Sequence, residues 1–180
     1  MEISKKASIK RQNGSSMEKK YFPIFIDISE MKIVVIGGGT IATRRINTLL
    51  GFAEKIFVAA PEITTQLQEL VDAGKIIWEQ KAYCKNQIEE ADMVIAATNC
   101  PKVNHQVKSD CEKLQEEKER HIWINVVNDK SLCEFYFPGV VQKDNLVIGI
   151  NSGGSDPGLV KNTRKRIQEL FKKNEYGQSE

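Results

Sequence analysis

The stretch that decides the fold is KIVVIGGGTIATRR, Lys32 to Arg45. The compact apolar run Lys32–Ile36 predicts a buried strand. Three glycines end this run. The segment Thr40–Leu50 then carries apolar residues at helical spacing, and Gly51 suits the end of a helix. This order of strand, glycine turn and helix is typical of a helix that packs back onto a parallel sheet.

The glycine turn has the pattern G-x-G-x-x-A, formed by Gly37, Gly39 and Ala42. The glycines permit a tight turn and let main-chain N–H groups approach a pyrophosphate, to which the helix N-terminus adds partial positive charge. The small Ala42 allows close packing of helix and strand. The pattern therefore predicts a dinucleotide site, and a tight turn without a ligand is the alternative.

The residues after the second strand leave the choice between NAD and NADP open. An acidic residue that binds the ribose is expected at the end of this strand. Here the strand ends in VAAPE, so the nearest carboxylate, Glu62, follows Pro61. Arg44 and Arg45 would favour a 2′-phosphate, or they would point to solvent or to substrate.

Strand and helix continue to alternate after this unit, which predicts an α/β fold with a Rossmann-type parallel sheet. The other segments are a candidate edge strand at Phe22–Ile28, strands at Lys55–Ala59, Ile76–Trp78, Met93–Ala97 and His121–Val127, and helices that begin at Pro61 and Pro101.

The pattern changes after Val127. EFYFPGVVQKDNLVIGI predicts a small antiparallel pair of strands, and SDPGLVKNTRKRIQELFKK predicts a C-terminal helix with Ser155 or Asp156 as its cap and Pro157 in its first turn. We therefore divide the chain into a flexible tail (1–20), a nucleotide-binding domain (21–128), a strand segment (129–151) and a helical segment (152–180).

Composition argues against several classes of protein. The net charge of +2 gives no reason to expect nucleic acid as a partner. Apolar runs are too short for a membrane span. The four cysteines are widely spaced without C-x-x-C, and His105 and His121 are not spaced for a shared metal. We therefore expect no metal site, no membrane contact, and reduced thiols in the cytoplasm.

Polar residues follow the fourth and fifth strands, at the edge where such folds bind ligands. Thr98 and Asn99 would hydrogen-bond a cofactor or cap the next helix. Asn128 and Asp129 would face the place of a nicotinamide, where a carboxylate can accept a proton. The alternative is a turn built from Asn and Asp.

A second glycine turn, NSGGSDP, precedes the C-terminal helix. Its residues Ser152 and Gly153 are candidates for an anion cradle. The helix carries a basic face that includes Lys161 and Arg164. This face is either solvated or attracts a substrate with many carboxylates.

Four stretches in order carry a family resemblance: YFPIFIDISEMKIVVIGGGTIATRR, VIAATN, INVVND…FYFPG and INSGGSDPGL. Together they resemble the precorrin-2 dehydrogenases, a family that includes the dehydrogenase/ferrochelatase module of siroheme synthase. The resemblance runs from about Tyr21 to Leu170, most of the chain.

The resemblance implies NAD-dependent oxidation of the tetrapyrrole precorrin-2 to sirohydrochlorin, and in some members insertion of ferrous iron. It implies homodimers in which the segments after the Rossmann domain intertwine, so that 129–151 would be dimerisation strands. It favours NAD over NADP. The implied cofactor contacts are Gly38, Gly39, Thr40, Ile41, Pro61 and Glu62, with Thr98 nearby and Gly37 in the same turn.

One position departs from the family. The functional aspartate of the family aligns with Asn128, and an amide cannot act as a general base. Asp129 is adjacent but points to the other face if the strand is regular. Because chelation requires removal of pyrrole protons while hydride transfer depends more on positioning, we expect dehydrogenation to be retained better than iron insertion.

Overall fold

The computed structural model describes residues 21–175. Its elements in chain order are β1 (Lys32–Ile36), α1 (Thr40–Leu49), β2 (Lys55–Ala59), α2 (Thr65–Asp72), β3 (Ile77–Glu79), β4 (Met93–Ala96), α3 (Pro101–Lys118), β5 (Trp123–Val126), β6 (Gly139–Lys143), β7 (Leu146–Ile150) and α4 (Pro157–Glu175). Two short 3-10 helices span Lys85–Ile88 and Lys130–Leu132.

The first five strands form one parallel sheet in the order β3-β2-β1-β4-β5. Val35 of β1 pairs with Val58 on one side and Ile95 on the other. The strand order reverses at β1, so the connections leave its two sides in opposite directions. A crevice opens at the carboxyl edge of such a reversal point. This sheet confirms the predicted α/β, Rossmann-type class.

Alternation along β1 divides the core into two layers. Ile33 and Val35 lie in the layer covered by α1 and α2, and Val34 and Ile36 lie in the layer covered by α3. All four are at most 2% exposed. Each buried side chain of this size contributes about 1.5–3 kcal/mol. The burial of both faces explains why the strand has no polar alternation.

The predicted antiparallel pair is formed by β6 and β7, where Val141 pairs with Ile148. Helix α4 packs on this pair. The contact is close at Gly139, because a Cβ there would lie 2.7 Å from a methyl group of Val160. Glycine at this position therefore lets α4 approach the hairpin.

One predicted element is absent, and one predicted helix begins later than expected. Phe22–Ile28 is largely exposed and forms no strand, because its main chain pairs with neither edge strand of the sheet, β3 or β5, and an apolar run without a pairing partner is not a strand. Helix α2 begins at Thr65 rather than at Pro61, because the Thr64 hydroxyl caps it by accepting a hydrogen bond from the Leu67 N–H. Residues 61–64 are therefore a loop. The predicted tail, 1–20, lies outside the described residues.

Candidate dinucleotide-binding site

The turn after β1 requires glycine at its first two positions. Gly37 has a φ of +116°, and its N–H donates a hydrogen bond of 2.9 Å to the Ala59 carbonyl. A Cβ on Gly37 would collide with the carbonyl of Ala97, and one on Gly38 with the carbonyl of Glu62. The turn is thus held between the ends of β2 and β4.

Gly39 has a different environment. It is the N-cap of α1, and a Cβ there would have no heavy atom within 4 Å. The first amides of a helix have no partner within the helix, and here those amides include Thr40 and Ile41. The first turn of α1 carries no acidic residue. Gly39 therefore leaves open space at a positive helix end, which fits a diphosphate.

A cleft of about 520 Å³ opens over this turn. Small residues, Ala59, Ala60 and Ala97, leave room at the ends of β2 and β4. The remaining lining residues are Ile36, Gly37, Gly38, Gly39, Pro61, Glu62, Ile63, Thr64, Ala82, Tyr83, Thr98, Asn99 and Val103. Of the predicted cofactor contacts, Thr40 and Ile41 do not line it, so only their main-chain amides remain as candidates.

Two threonines that sequence reasoning missed hold the glycine turn in place. The Thr43 hydroxyl donates to the Gly39 carbonyl at 3.0 Å and lies 2.8 Å from the Thr64 hydroxyl. The Thr64 N–H donates to the Gly38 carbonyl at 3.0 Å. Both carbonyls are thereby engaged within the protein. The sequence could have indicated the first of these contacts, because Thr43 is four residues after Gly39, and a threonine in a helix can donate to the carbonyl four residues earlier.

Asn104, also missed, organises the end of β4. This residue of α3 is fully buried. Its Oδ1 accepts hydrogen bonds from the Thr98 N–H at 3.1 Å and the Thr98 hydroxyl at 2.7 Å, and its Nδ2 donates to the Thr98 carbonyl at 3.0 Å. The Thr98 hydroxyl also accepts from the Cys100 N–H. Thr98 therefore lines the cleft with its side chain already engaged in the loop.

The same amide fixes Asn128. Asn104 Nδ2 donates to Asn128 Oδ1 at 2.7 Å. Since the main chain of Thr98 determines which atom of Asn104 is the donor, the oxygen of Asn128 must face Asn104. The NH₂ group of Asn128, an exposed residue, is directed away from this contact. Asn128 therefore presents a donor and offers no proton acceptor.

Asp129 acts as a cap. Its Oδ1 accepts from the Ser131 N–H at 3.0 Å and the Ser131 hydroxyl at 2.6 Å, at the start of the 3-10 helix Lys130–Leu132. These two hydrogen bonds, the hydroxyl first, hold the pKa of the carboxyl below its usual value. Its Oδ2 lies 3.5 Å from His105 Nε2. Neither Asn128 nor Asp129 lines the cleft.

The second glycine turn is stabilised from within. The Ser152 hydroxyl accepts from the Asp156 N–H at 3.1 Å and donates to the Asp156 carbonyl at 2.9 Å. Asp156 Oδ1 accepts from the Leu159 N–H at 2.8 Å, so Asp156 caps α4. The Gly153 N–H already donates to Asn151 Oδ1 at 3.0 Å, and a carboxylate caps the helix end, which together weaken the predicted anion cradle.

The two arginines of α1 have different environments. Arg44 is exposed, whereas the Arg45 guanidinium lies 4.7 Å from the Phe137 ring. Arg45 Nε and Nη1 are buried without a partner in the described residues. Burial lowers the pKa of Arg45 to about 10. The prediction that Arg45 points to solvent is therefore wrong, because the side chain packs against the segment that precedes β6; a contact with substrate stays a prediction.

Other site classes find no support in residues 21–175. This part of the chain contains no cluster of three or more His, Cys, Asp or Glu that could hold a metal ion. None of its helices is long and apolar enough to cross a bilayer. All four cysteines are free thiols, with Cys111 buried and Cys84 and Cys100 exposed.

Comparison with known proteins identifies the family. The family described as "Putative NAD(P)-binding" matches residues 24–139, and this match covers more than half of the chain. The chain belongs to this NAD(P)-binding family.

Two curated relatives are similar to this chain in sequence. A probable multifunctional siroheme biosynthesis protein HemA of Ruminiclostridium josui is 37% identical over 150 residues, and a siroheme synthase of Mannheimia succiniciproducens is 33% identical over 151 residues. These alignments cover 83% and 84% of this chain but only 28% and 30% of the relatives. The chain thus spans less than a third of either relative.

A solved structure shares the fold. The chain matches "SirC, precorrin-2 dehydrogenase" with a TM-score of 0.68 and 24% sequence identity, over 83% of this chain and 71% of that one. The parallel sheet, the small antiparallel sheet and the C-terminal helix are therefore the architecture of a known fold.

Proposed function

We propose that the protein catalyses the NAD-dependent oxidation of precorrin-2 to sirohydrochlorin. The observation that carries the proposal is the open space at Gly39, at the end of a cleft whose other glycines admit no side chain. The similarity to proteins named siroheme synthase, and to a structure named precorrin-2 dehydrogenase, supports this substrate.

The glycine turn would hold the coenzyme. The main chain of Gly37, Gly38 and Gly39 and the amides of Thr40 and Ile41 would bind the diphosphate. Glu62, exposed and lining the cleft beside Pro61, would accept hydrogen bonds from the ribose hydroxyls, which favours NAD over NADP. Thr98 would close the cleft at the end of β4. Bound NAD would supply the group that accepts a hydride from the substrate.

Asn128 and Asp129 remain the catalytic candidates, with unequal roles. Asn128 can orient a substrate or the coenzyme carboxamide by donating from its NH₂ group. Asp129 is held ionised by Ser131, which makes it a weak proton acceptor. The protein therefore contributes chiefly by holding the reactants in register, and the proton released by the oxidation passes to Asp129 or to solvent.

The decisive assay is direct. Purified protein, precorrin-2 and NAD should produce sirohydrochlorin absorbance and NADH in step. Absence of both products, with NADH binding intact, would rule out the dehydrogenase and leave a non-catalytic NAD or tetrapyrrole binder. The relatives named siroheme synthase also favour testing iron insertion, by anaerobic addition of ferrous iron to sirohydrochlorin with and without protein.

We further propose a cytoplasmic homodimer. Most of the exposed large apolar residues of the described chain lie in the segment that precedes β1 and in β7 and α4: Tyr21, Phe22, Ile24, Phe25, Ile26, Leu146, Leu159 and Leu170. Exposed apolar surface of this kind favours association. Light scattering at micromolar concentration should give twice the chain mass, and a monomer would contradict the dimer. The free thiols suit a reducing compartment.

A further inference from the structure

A second cavity, beside the first turns of α1, differs in character from the dinucleotide cleft. Its volume is about 390 Å³. Residues of α1, α2 and α4 line it, and every lining side chain is polar: Thr40, Thr43, Arg44, Asn47, Thr48, Gln66 and Arg164. No carboxylate and no apolar side chain is among them. The cavity, which we call the arginine pocket, is therefore suited to a polar group of negative charge.

The arginine pocket brings together two positive charges from distant parts of the sequence. Arg44 belongs to α1, and Arg164, which is half-buried, belongs to α4. Neither guanidinium has an ion pair or a hydrogen bond with another side chain in residues 21–175. Both arginines line the same cavity, so a carboxylate bound there can receive charged hydrogen bonds from them.

Some of the other polar side chains of the arginine pocket already make hydrogen bonds within the protein, and others do not. The hydroxyls of Thr43 and Thr48 are engaged with main-chain carbonyls of α1. Thr40, at the start of α1, and the side-chain amides of Asn47 and Gln66 have no such engagement in the described chain. These groups can complete the coordination of an oxygen-rich anion.

The arginine pocket begins where the dinucleotide cleft ends. Thr40 lines the pocket and directly follows Gly39, which lines the cleft, yet the two cavities share no lining residue. A ligand in the pocket would therefore lie beside the coenzyme without displacing it. Coenzyme and ligand can then be held at the same time, which the oxidation of a substrate by a coenzyme requires.

We propose that the arginine pocket binds peripheral carboxylates of the tetrapyrrole substrate, with Arg44 and Arg164 as its two anchors; this inference rests on the proposed function. It adds Arg44 to the substrate contacts. It also separates Arg164 from Lys161, which lies on the same helix but is exposed and lines neither cavity. Lys161 then contributes only to the general positive field of α4.

The test uses sirohydrochlorin and NADH as probes in separate fluorescence titrations of the whole protein. Arg44→Gln and Arg164→Gln should each weaken sirohydrochlorin binding about tenfold or more, since each removes a charged hydrogen bond. NADH affinity should change by less than about twofold, because neither arginine lines the dinucleotide cleft. Lys161→Gln and Lys165→Gln are matched controls that remove the same charge outside it.

The outcomes separate this inference from the proposed function. Arginine variants that behave like the lysine controls, while the wild type binds sirohydrochlorin, would overturn the pocket alone. Parallel loss of NADH affinity would assign the pocket to the coenzyme and also overturn it. A wild type that binds NADH but no sirohydrochlorin would remove the proposed substrate together with the pocket. Arg44→Lys keeps the positive charge but loses the planar paired donors of the guanidinium, so its affinity for sirohydrochlorin should lie between those of the wild type and Arg44→Gln. Thermal unfolding of each variant confirms that it folds.

Discussion

Asn104 Nδ2 lies 2.7 Å from Asn128 Oδ1, and this contact joins helix α3 to the end of β5. Because Asn104 is fully buried and its other polar side-chain contacts are all to Thr98, it has no freedom to rotate its amide. One buried amide thereby sets the end of β4 and the orientation of Asn128 together.

The first prediction concerns Asn128→Asp. A carboxylate oxygen can accept the same hydrogen bond from Asn104, so the fold should be unchanged while the second oxygen faces outward as a proton acceptor. Iron insertion into sirohydrochlorin should increase about a hundredfold or more, in the range of general-base effects. Asp129→Ala is the control, and it should leave chelation low. Equal chelation by wild type and Asn128→Asp would contradict this account of Asn128.

The second prediction concerns the glycine turn. Gly39→Asp places a negative charge in the open space where a diphosphate would bind, so NADH binding and dehydrogenase activity should be lost while the melting temperature changes little. Gly39→Ala introduces only a Cβ that meets no atom, and it should keep most of the NADH affinity.

Gly38→Ala provides the contrasting variant, because its Cβ would collide with the main chain of Glu62. We expect a loss of stability of about 1–3 kcal/mol, typical of overpacking. Unchanged NADH binding by Gly39→Asp would show that the diphosphate lies elsewhere.

The third prediction concerns Arg45. Its guanidinium has two buried nitrogens without a partner in the described chain and a pKa lowered by burial, so the charge destabilises the folded chain. Arg45→Met keeps most of the volume beside Phe137 and should raise the free energy of unfolding by about 1 kcal/mol. Arg44→Met, at the exposed neighbouring position, should change it by less than about 0.5 kcal/mol. Chemical denaturation measures both, and a clear loss of stability in Arg45→Met would indicate a partner for this charge.

The fourth prediction concerns pH. Burial raises the pKa of the Cys111 thiol to about 12. In the unfolded chain the thiol ionises near its usual pKa of about 8.5, so the stability that the neutral thiol provides is complete below that pH. It is lost as the pH rises toward the folded pKa, by about 1.4 kcal/mol per pH unit.

The measurement for Cys111 is a comparison of unfolding curves at about pH 8 and about pH 10. Cys111→Ala should be less stable than the wild type at about pH 8 but should lose less stability on going to about pH 10. Cys84→Ala, which alters an exposed thiol, should follow the wild type. Parallel pH profiles for wild type and Cys111→Ala would contradict the buried, neutral state of this thiol.

The sequence by itself determined the order of strands and helices, the parallel sheet, the glycine turn and the family resemblance. These features depend on local spacing, because the period of apolar residues distinguishes strand from helix and only glycine fits the turn at Gly37 and Gly38. The same local logic was wrong for Phe22–Ile28, where composition suggested a strand but pairing depends on a partner that the sequence does not reveal.

Only the tertiary structure decided which polar side chains meet. Asn104 and Asn128 come from different elements, as do Arg44 and Arg164, and their proximity follows from how α3 and α4 pack. The burial of Arg45 depends likewise on Phe137, far along the chain. Hydrophobic spacing fixes the face that an element buries, but the direction and partner of a hydrogen bond are set by atoms that only the packed chain brings together.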